Sequence, residues 1–453
     1  VSAAESPKKD AFKERLVQRQ ARGRLWSRLF FASNAFALLT LILLALTIIN
    51  GAFGYVAVQF RVDPDTLSDR PLETLSEAEL GDVLVANAAG RMRVIIRDNF
   101  SQVPNDVFTT TPLPAALNVF IPTAWQTLTI NELNEEQLLS IITNNLSQEQ
   151  MYDVVLNNIV QPNVVASWQF FYSLFNRAAI EAEMASEYPA AELIFRSWVT
   201  PRFISSPLAT EAADTGLRTA LLGTLWVIAI CVLFSFPLGV GAAIYLEEYA
   251  DDSFINRLIE TNIRNLAGVP SIIYGLLGLT VFVRFLVTIT SGQFVGVQSD
   301  TGRTILSAGL TLGLLILPVI IINAQEAIRA VPYSIREASY GLGATKWQTT
   351  WRQVLPAALP GILTGFILAL SRAIGETAPL IVIGGASFIS FDPSGPFSRF
   401  TVVPLQIYNW TKVPDIEFRN VAAAAIIVLM SLLLIMNSAA IILRNRFSKK
   451  LAG

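Results

Sequence analysis

Six stretches of this chain stay apolar long enough to cross a hydrocarbon layer about 30 Å thick, for which a helix needs roughly 20 residues. They are Leu29 to about Ala57, Leu217 to Leu246, Leu266 to about Thr288, Thr304 to Asn323, Ala357 to about Ala386, and Asn420 to Leu443. Between the first two lies a polar segment, residues 61–210, that reads as an inserted and mostly helical domain. Ser76 with Glu79 has the form of a capping box, and Asn134 and Ser147 are placed as N-caps for two further helices. The aromatic cluster Trp168, Phe170, Phe171, Tyr172 and Phe175 is expected to pack as a small core. The pattern predicts an all-α membrane protein with six transmembrane helices and an external helical domain. Its segments are 1–28, a span at 29–57, the domain at 61–210, a five-helix part at 217–443 with a loop at 325–356, and a tail at 444–453.

Charge orients the pattern. Lys8, Lys9, Lys13, Arg15, Arg19, Arg22, Arg24 and Arg28 precede the first span, and Arg444, Arg446, Lys449 and Lys450 follow the last. Positive residues collect on the cytoplasmic side, so both ends are expected there, as an even number of spans permits. Residues 61–210 contain no lysine and are expected outside. One loop fits poorly: Glu247, Glu248, Asp251, Asp252 and Glu260 outnumber Arg257 and Arg264 on the cytoplasmic side, although acidic residues carry little weight in the rule. The first span follows a long basic region and reads as an uncleaved anchor.

Composition narrows the chemistry. Only 15% of residues are charged, against about 25% in a typical soluble protein. A net charge of -2 argues against a nucleic-acid partner. The absence of histidine removes histidine-based catalysis and histidine metal sites, and the lone Cys231 has no partner for an intramolecular disulfide. A membrane enzyme is disfavoured, and no metal or cofactor is expected in this chain.

The segment from Ser334 to Pro356 carries charge between two spans. Ser334 with Glu337 reads as a capping box, Gly343 as the left-handed residue that ends a short helix, and Thr345 with Gln348 as a second box. Trp347, Trp351, Val354 and Leu355 are expected to share a face, with Pro356 closing the unit before the fifth span. Such a helix–turn–helix suits either a protein groove or the lipid headgroup layer. Glu337-Ala338-Ser339, Gly343 and Leu355-Pro356 resemble the EAA signature of ABC importer permeases, with Gln353 where that family carries isoleucine. The resemblance implies that this loop docks into a cleft of a separate ATPase subunit. The chain itself has no G-x-x-x-x-G-K-[ST] loop, and its nearest string, Gly341 to Lys346, has the wrong spacing.

The fifth span holds Arg372 and Glu376, four residues apart and so on one helix face. A charge at mid-bilayer costs about 2.5–3.5 kcal/mol on insertion scales, so it pairs or lines a polar cavity. The pair serves either as a structural lock or as an anion gate in which Arg372 offers parallel donors to an oxyanion, Glu376 holds it, and Thr377 adds a hydroxyl. Gly361 and Gly365 form a small-xxx-small pair suited to close packing, here against a second subunit. The runs Arg372 to Pro379 and Asn265 to Gly275 resemble the phosphate-specific ABC importer permeases, most closely the A-type subunit. The resemblance runs from the second span to the C-terminus and leaves out 61–210. It implies a type I permease fold in a bacterial inner membrane. The implied partners are two ATPase subunits, a homologous permease and an external phosphate-binding protein, with lipid around them. Competing readings are a permease for molybdate, sulfate or phosphonate, or a membrane sensor whose external domain binds the ligand.

Overall fold

The computed structural model describes residues 7–101, 105–117, 119–296, 301–386, 388–389 and 391–452. It divides into two compact units, Gly54–Arg196 and the remainder of the chain. Helix α1 (Pro7–Ala52) contains an apolar stretch, Gly23–Ala52, long enough to cross a membrane. Its large side chains, Phe30, Phe31, Phe36 and Leu41 among them, are exposed, as on a helix surrounded by hydrocarbon. Thr40 and Thr47 donate to the carbonyls of Phe36 and Leu43, both at 2.9 Å, which satisfies hydroxyls where water is absent.

The helix stops five residues short of the predicted end and becomes strand β1 (Phe53–Phe60). Gly54 adopts φ +155°, a conformation that lets the chain leave the helix, and the apolar run FGYVAVQF continues as a pleated strand. The Gly54–Arg196 unit then forms α2 (Glu77–Ala88), α3 (Met92–Phe100), α4 (Glu135–Asn145), α5 (Gln148–Val155), strand β2 (Pro162–Gln169), α6 (Phe170–Phe175), α7 (Arg177–Glu187) and, at its boundary, β3 (Glu192–Ser197). Leu80, Leu84, Met92, Ile96, Ile141, Ile142 and Met151 are fully buried between α2, α3, α4 and α5. Ser76, Asn134 and Ser147 each cap their helices through a reciprocal box.

The unit is mostly helical as expected, with one addition and one correction. Besides its helices it holds a sheet of order β2-β1-β3, with β1 and β2 antiparallel from Gly54↔Gln169 to Phe60↔Pro162. The aromatic cluster is also not one core. Trp168 is buried with Ala57, Ile180 and Met184, but Phe171, Tyr172 and Phe175 are exposed. Strand alternation turns Trp168 inward, and the single-turn helix that follows buries only Ser173.

In the other unit, α8 (Arg218–Ile244) continues through a widened π turn to Tyr249. Helices α9 (Phe254–Ala267) and α10 (Ser271–Gly278) follow, then α11 (Ile305–Arg329), α12 (Tyr333–Gly341), α13 (Lys346–Thr349), α14 (Leu355–Gly375), α15 (Ala378–Ile383), α16 (Val403–Lys412) and α17 (Ile416–Ala452). Among the described residues five helices are long and apolar enough to span a membrane, and six spans result if the bent pair Phe254–Ala267 and Ser271–Phe285 counts as one. That pair meets at 106°, so the third predicted span is not continuous. Pro270 lacks an N–H and disfavours helical backbone at Val269, which places the break there.

Helices α8, α11, α14 and α15 enclose a core of Val227, Cys231, Leu312, Ile316, Ala369, Ala373 and Ile383. Gly361 and Gly365 already pack within the chain: a Cβ at 361 would lie 2.8 Å from that of Ala327, and one at 365 would collide with Asn323. A second cluster of Ala243, Ile321, Ala324, Ile328, Val354, Ala358 and Ile362 joins the C-terminal ends of α8 and α11 to the start of α14. The Ser334–Pro356 segment is attached at that end.

Candidate functional site

The segment forms the predicted pair of short helices, joined by a turn whose hydrogen bonds are local. The N–H of Gly343 donates to the Tyr340 carbonyl at 2.9 Å and that of Ala344 to the Ser339 carbonyl at 3.2 Å. This is the Schellman pattern, and Gly343 carries it at φ +81°. Thr345 and Gln348 then cap α13 reciprocally, and the Ser339 and Thr349 hydroxyls, 2.9 Å apart, tie the two arms together.

Three details differ from expectation. The Ser334–Glu337 box does not form, because α12 starts at Tyr333 behind Pro332 and Ser334 already lies inside the first turn. Glu337 and Ala338 are exposed. Trp347 and Trp351 stack at 5.4 Å with planes 12° apart and are 60% and 54% exposed, but Val354 is buried and Leu355 half-buried, so the ridge consists of the two indoles. Pro356 does not close the unit either: a π turn, Thr350–Val354, leads directly into α14, and Lys346–Gly375 reads as one long helix. Pro356 has no N–H for the Arg352 carbonyl, and the ladder widens just before it. Between the arms lies an open groove of about 550 Å³ lined by residues including Ala338, Ser339, Leu342, Gly343 and Arg352.

The residues that fasten this element were read from sequence only as a charge anomaly. Arg336 on α12 donates through Nε and Nη2 to Glu248 Oε1 at 3.1 and 2.6 Å, and to the carbonyls of Val331 and Ile328 at 2.8 and 3.1 Å. Glu247 takes Arg329 at 2.6 Å and Gln325 at 3.1 Å. The π turn Tyr245–Tyr249 presents these two successive carboxylates to different partners. The acidic excess after the second span and the basic residues near 329–336 were the available signal.

At the other end of α14 the helix stops at Gly375, and Glu376 turns to ψ 111°. The fifth predicted span is therefore broken, and Arg372 and Glu376 meet across a helix end instead of along a continuous face. Arg372 Nε donates to Glu376 Oε1 at 3.2 Å, and the Arg372 side chain remains 46% exposed. Among the described residues its terminal Nη groups make no further hydrogen bond. Thr377 is half-buried where α15 begins. Next to Arg372, the Ser371 hydroxyl donates to Asn437 Oδ1 at 2.7 Å, a polar contact inside the bundle that sequence reading missed. Helix α10 packs closely on α15: a Cβ at Gly275 would approach the Pro379 Cα to 2.7 Å.

A multi-span helical bundle with a helix–turn–helix at one end and a paired arginine at a span break has the form of a membrane permease subunit. Residues 235–449 match the model of the binding-protein-dependent transport system inner membrane component. A probable ABC transporter permease, YqgI of Bacillus subtilis, is 33% identical over 222 residues, covering 49% of this chain and 70% of that protein. The phosphate transport system permease PstA 1 of Mycobacterium tuberculosis (strain H37Rv) is 36% identical, over 44% of this chain and 60% of its own length. PstC of Mesorhizobium japonicum is 36% identical, over 43% and 62%. The chain belongs to the inner-membrane permease family of binding-protein-dependent ABC importers, and within it resembles the PstA type. The family match leaves out the Gly54–Arg196 unit.

Proposed function

We propose that this chain forms half of the path of an ATP-driven importer of inorganic phosphate. A second, homologous permease lines the other half, two ATPase subunits grip the cytoplasmic Ser334–Pro356 element, and an external binding protein delivers the anion. Both termini face the cytoplasm of a bacterial inner membrane. The observation that carries the substrate reading is Arg372. Its Nε is held by Glu376, its Nη fork is open, and it lies exposed on the surface of this chain, so the walls around it come from another subunit. A guanidinium presented in this way offers two parallel donors to a tetrahedral oxyanion, and Glu376 offsets its charge enough for the anion to leave. Thr377 adds a hydroxyl at the same break. Relatives named for phosphate transport support this choice among oxyanions.

The test is competition in vesicles that hold the assembled complex. Unlabelled phosphate is expected to suppress uptake of labelled phosphate, with sulfate and molybdate having little effect. Suppression by molybdate or sulfate in place of phosphate would reassign the substrate. The coupling role has its own test. Gly343→Val places a β-branched residue at φ +81° and is expected to cost about 1–3 kcal/mol at the turn, so that ATP hydrolysis continues with little uptake. An unchanged ratio of phosphate moved to ATP consumed would count against this turn as the coupling joint.

A further inference from the structure

Pro270 leaves one carbonyl of α9 without its helical donor. In a continuous helix the Leu266 carbonyl would accept from the N–H of residue 270, and proline has none. Two other donors take its place. The N–H of Val269 reaches the Leu266 carbonyl at 3.0 Å, and the Tyr274 hydroxyl donates to it at 2.8 Å. Tyr274 lies four residues beyond Pro270, one turn along α10 and on the same side of the helix. Its side chain is buried. A carbonyl freed by a helix break in a membrane needs such a partner. The same bond ties the end of α9 to α10 across their 106° bend.

Both arms of the bend are fastened. Ile263 of α9 packs on the cluster that joins the ends of α8 and α11 to the start of α14, where Ser334–Pro356 is attached. On α10, Gly275 follows Tyr274 and meets the backbone of Pro379 so closely that a Cβ would lie 2.7 Å from its Cα. Pro379 is in the first turn of α15, which begins directly after Glu376 and Thr377. Arg372 is also near enough to act electrostatically on the Tyr274 hydroxyl. The bend thus stands between the cluster around Ile263 and the span break at Arg372, with the tyrosine at its corner.

We propose that Tyr274 is a positioning residue of the transport cycle: its hydroxyl makes α9 and α10 one rigid elbow, so that a displacement at Ile263 moves α15 and the break beside Arg372. That role rests on the reading of this chain as a phosphate permease driven through Ser334–Pro356. Without the hydroxyl, residues 268–270 act as a hinge that absorbs the motion of one arm before it reaches the other. The anion still meets the same Arg372 fork, so binding is kept while the yield per ATP falls.

The test is Tyr274→Phe in the assembled complex in vesicles, with labelled phosphate entry and ATP hydrolysis measured on the same sample. The ring keeps its packing and only the donor is lost. Phosphate moved per ATP is expected to fall about fivefold or more, with KM within about twofold of the parent. Ile263→Ala loosens the other arm and is expected to lower the same ratio. The double variant is expected to be no worse than the poorer single one, as for two parts of one linkage. An unchanged ratio in Tyr274→Phe overturns the proposal, and so do losses that multiply in the double variant. A raised KM with the ratio intact also overturns it and assigns the hydroxyl to the anion. A parent complex that moves another oxyanion in place of phosphate overturns the substrate reading alone, and the ratio is then measured with that anion.

Discussion

Arg372→Ala is expected to lower phosphate uptake by about 100-fold or more, because it removes two charge-assisted hydrogen bonds worth about 1.5–3 kcal/mol each. Arg372→Lys keeps the charge but loses the planar fork, and is expected to recover only part of the rate. Assembly is expected to survive both changes, since the side chain is 46% exposed and contributes little to the core. The measurement is the initial rate of labelled phosphate entry into vesicles, with subunit stoichiometry checked on the same sample. A rate for Arg372→Ala within threefold of the parent would remove this guanidinium from the path.

Glu248→Ala is expected to loosen the Ser334–Pro356 helix–turn–helix. The Arg336 and Glu248 side chains are only 12% and 5% exposed, so deleting the carboxylate strands a buried guanidinium at a cost of about 3–5 kcal/mol. The readouts are faster amide exchange over Tyr333–Gly341 and a falling ratio of phosphate transported to ATP hydrolysed. Replacing both partners, as Glu248→Leu with Arg336→Met, is expected to restore much of the protection, because a packed apolar pair carries no stranded charge. The neighbouring Arg329, 58% exposed, supplies the control: its alanine variant is expected to lose less than about 1 kcal/mol. Equal exchange in Glu248→Ala and the parent would show that this pair does not hold α12.

What was legible in the sequence had local causes. Gly343 and the Thr345–Gln348 box were readable because a few consecutive residues determine their geometry. The capping boxes at Ser76, Asn134 and Ser147 were readable for the same reason. The Ser334 box failed because Pro332 competed to start the helix, a contest that spacing alone does not decide. Strand β1 was read as the end of a span because FGYVAVQF is as apolar as the helix before it, and its partner strand begins only at Pro162. The Arg336–Glu248 bond joins residues 88 apart in sequence, beyond the reach of any periodicity argument. Arg372 and Glu376 were found for their rarity in an apolar run. Their meeting across a helix end depends on Glu376 leaving helical backbone, which four-residue spacing does not reveal.

The continuity of Lys346–Gly375 has a geometric consequence. Because Trp347, Trp351 and Arg372 ride on one rod, their bearings about its axis are locked together, each residue between them contributing about 100° of azimuth. The π turn at Thr350–Val354 belongs to that angular count and sets the compass heading of the guanidinium relative to the indoles. A single inserted or deleted residue below Arg372 would leave every contact type available in composition while swinging the arginine a quarter-turn or more out of alignment. The length of this segment therefore fixes the bearing of Arg372 as firmly as the helix fixes its height.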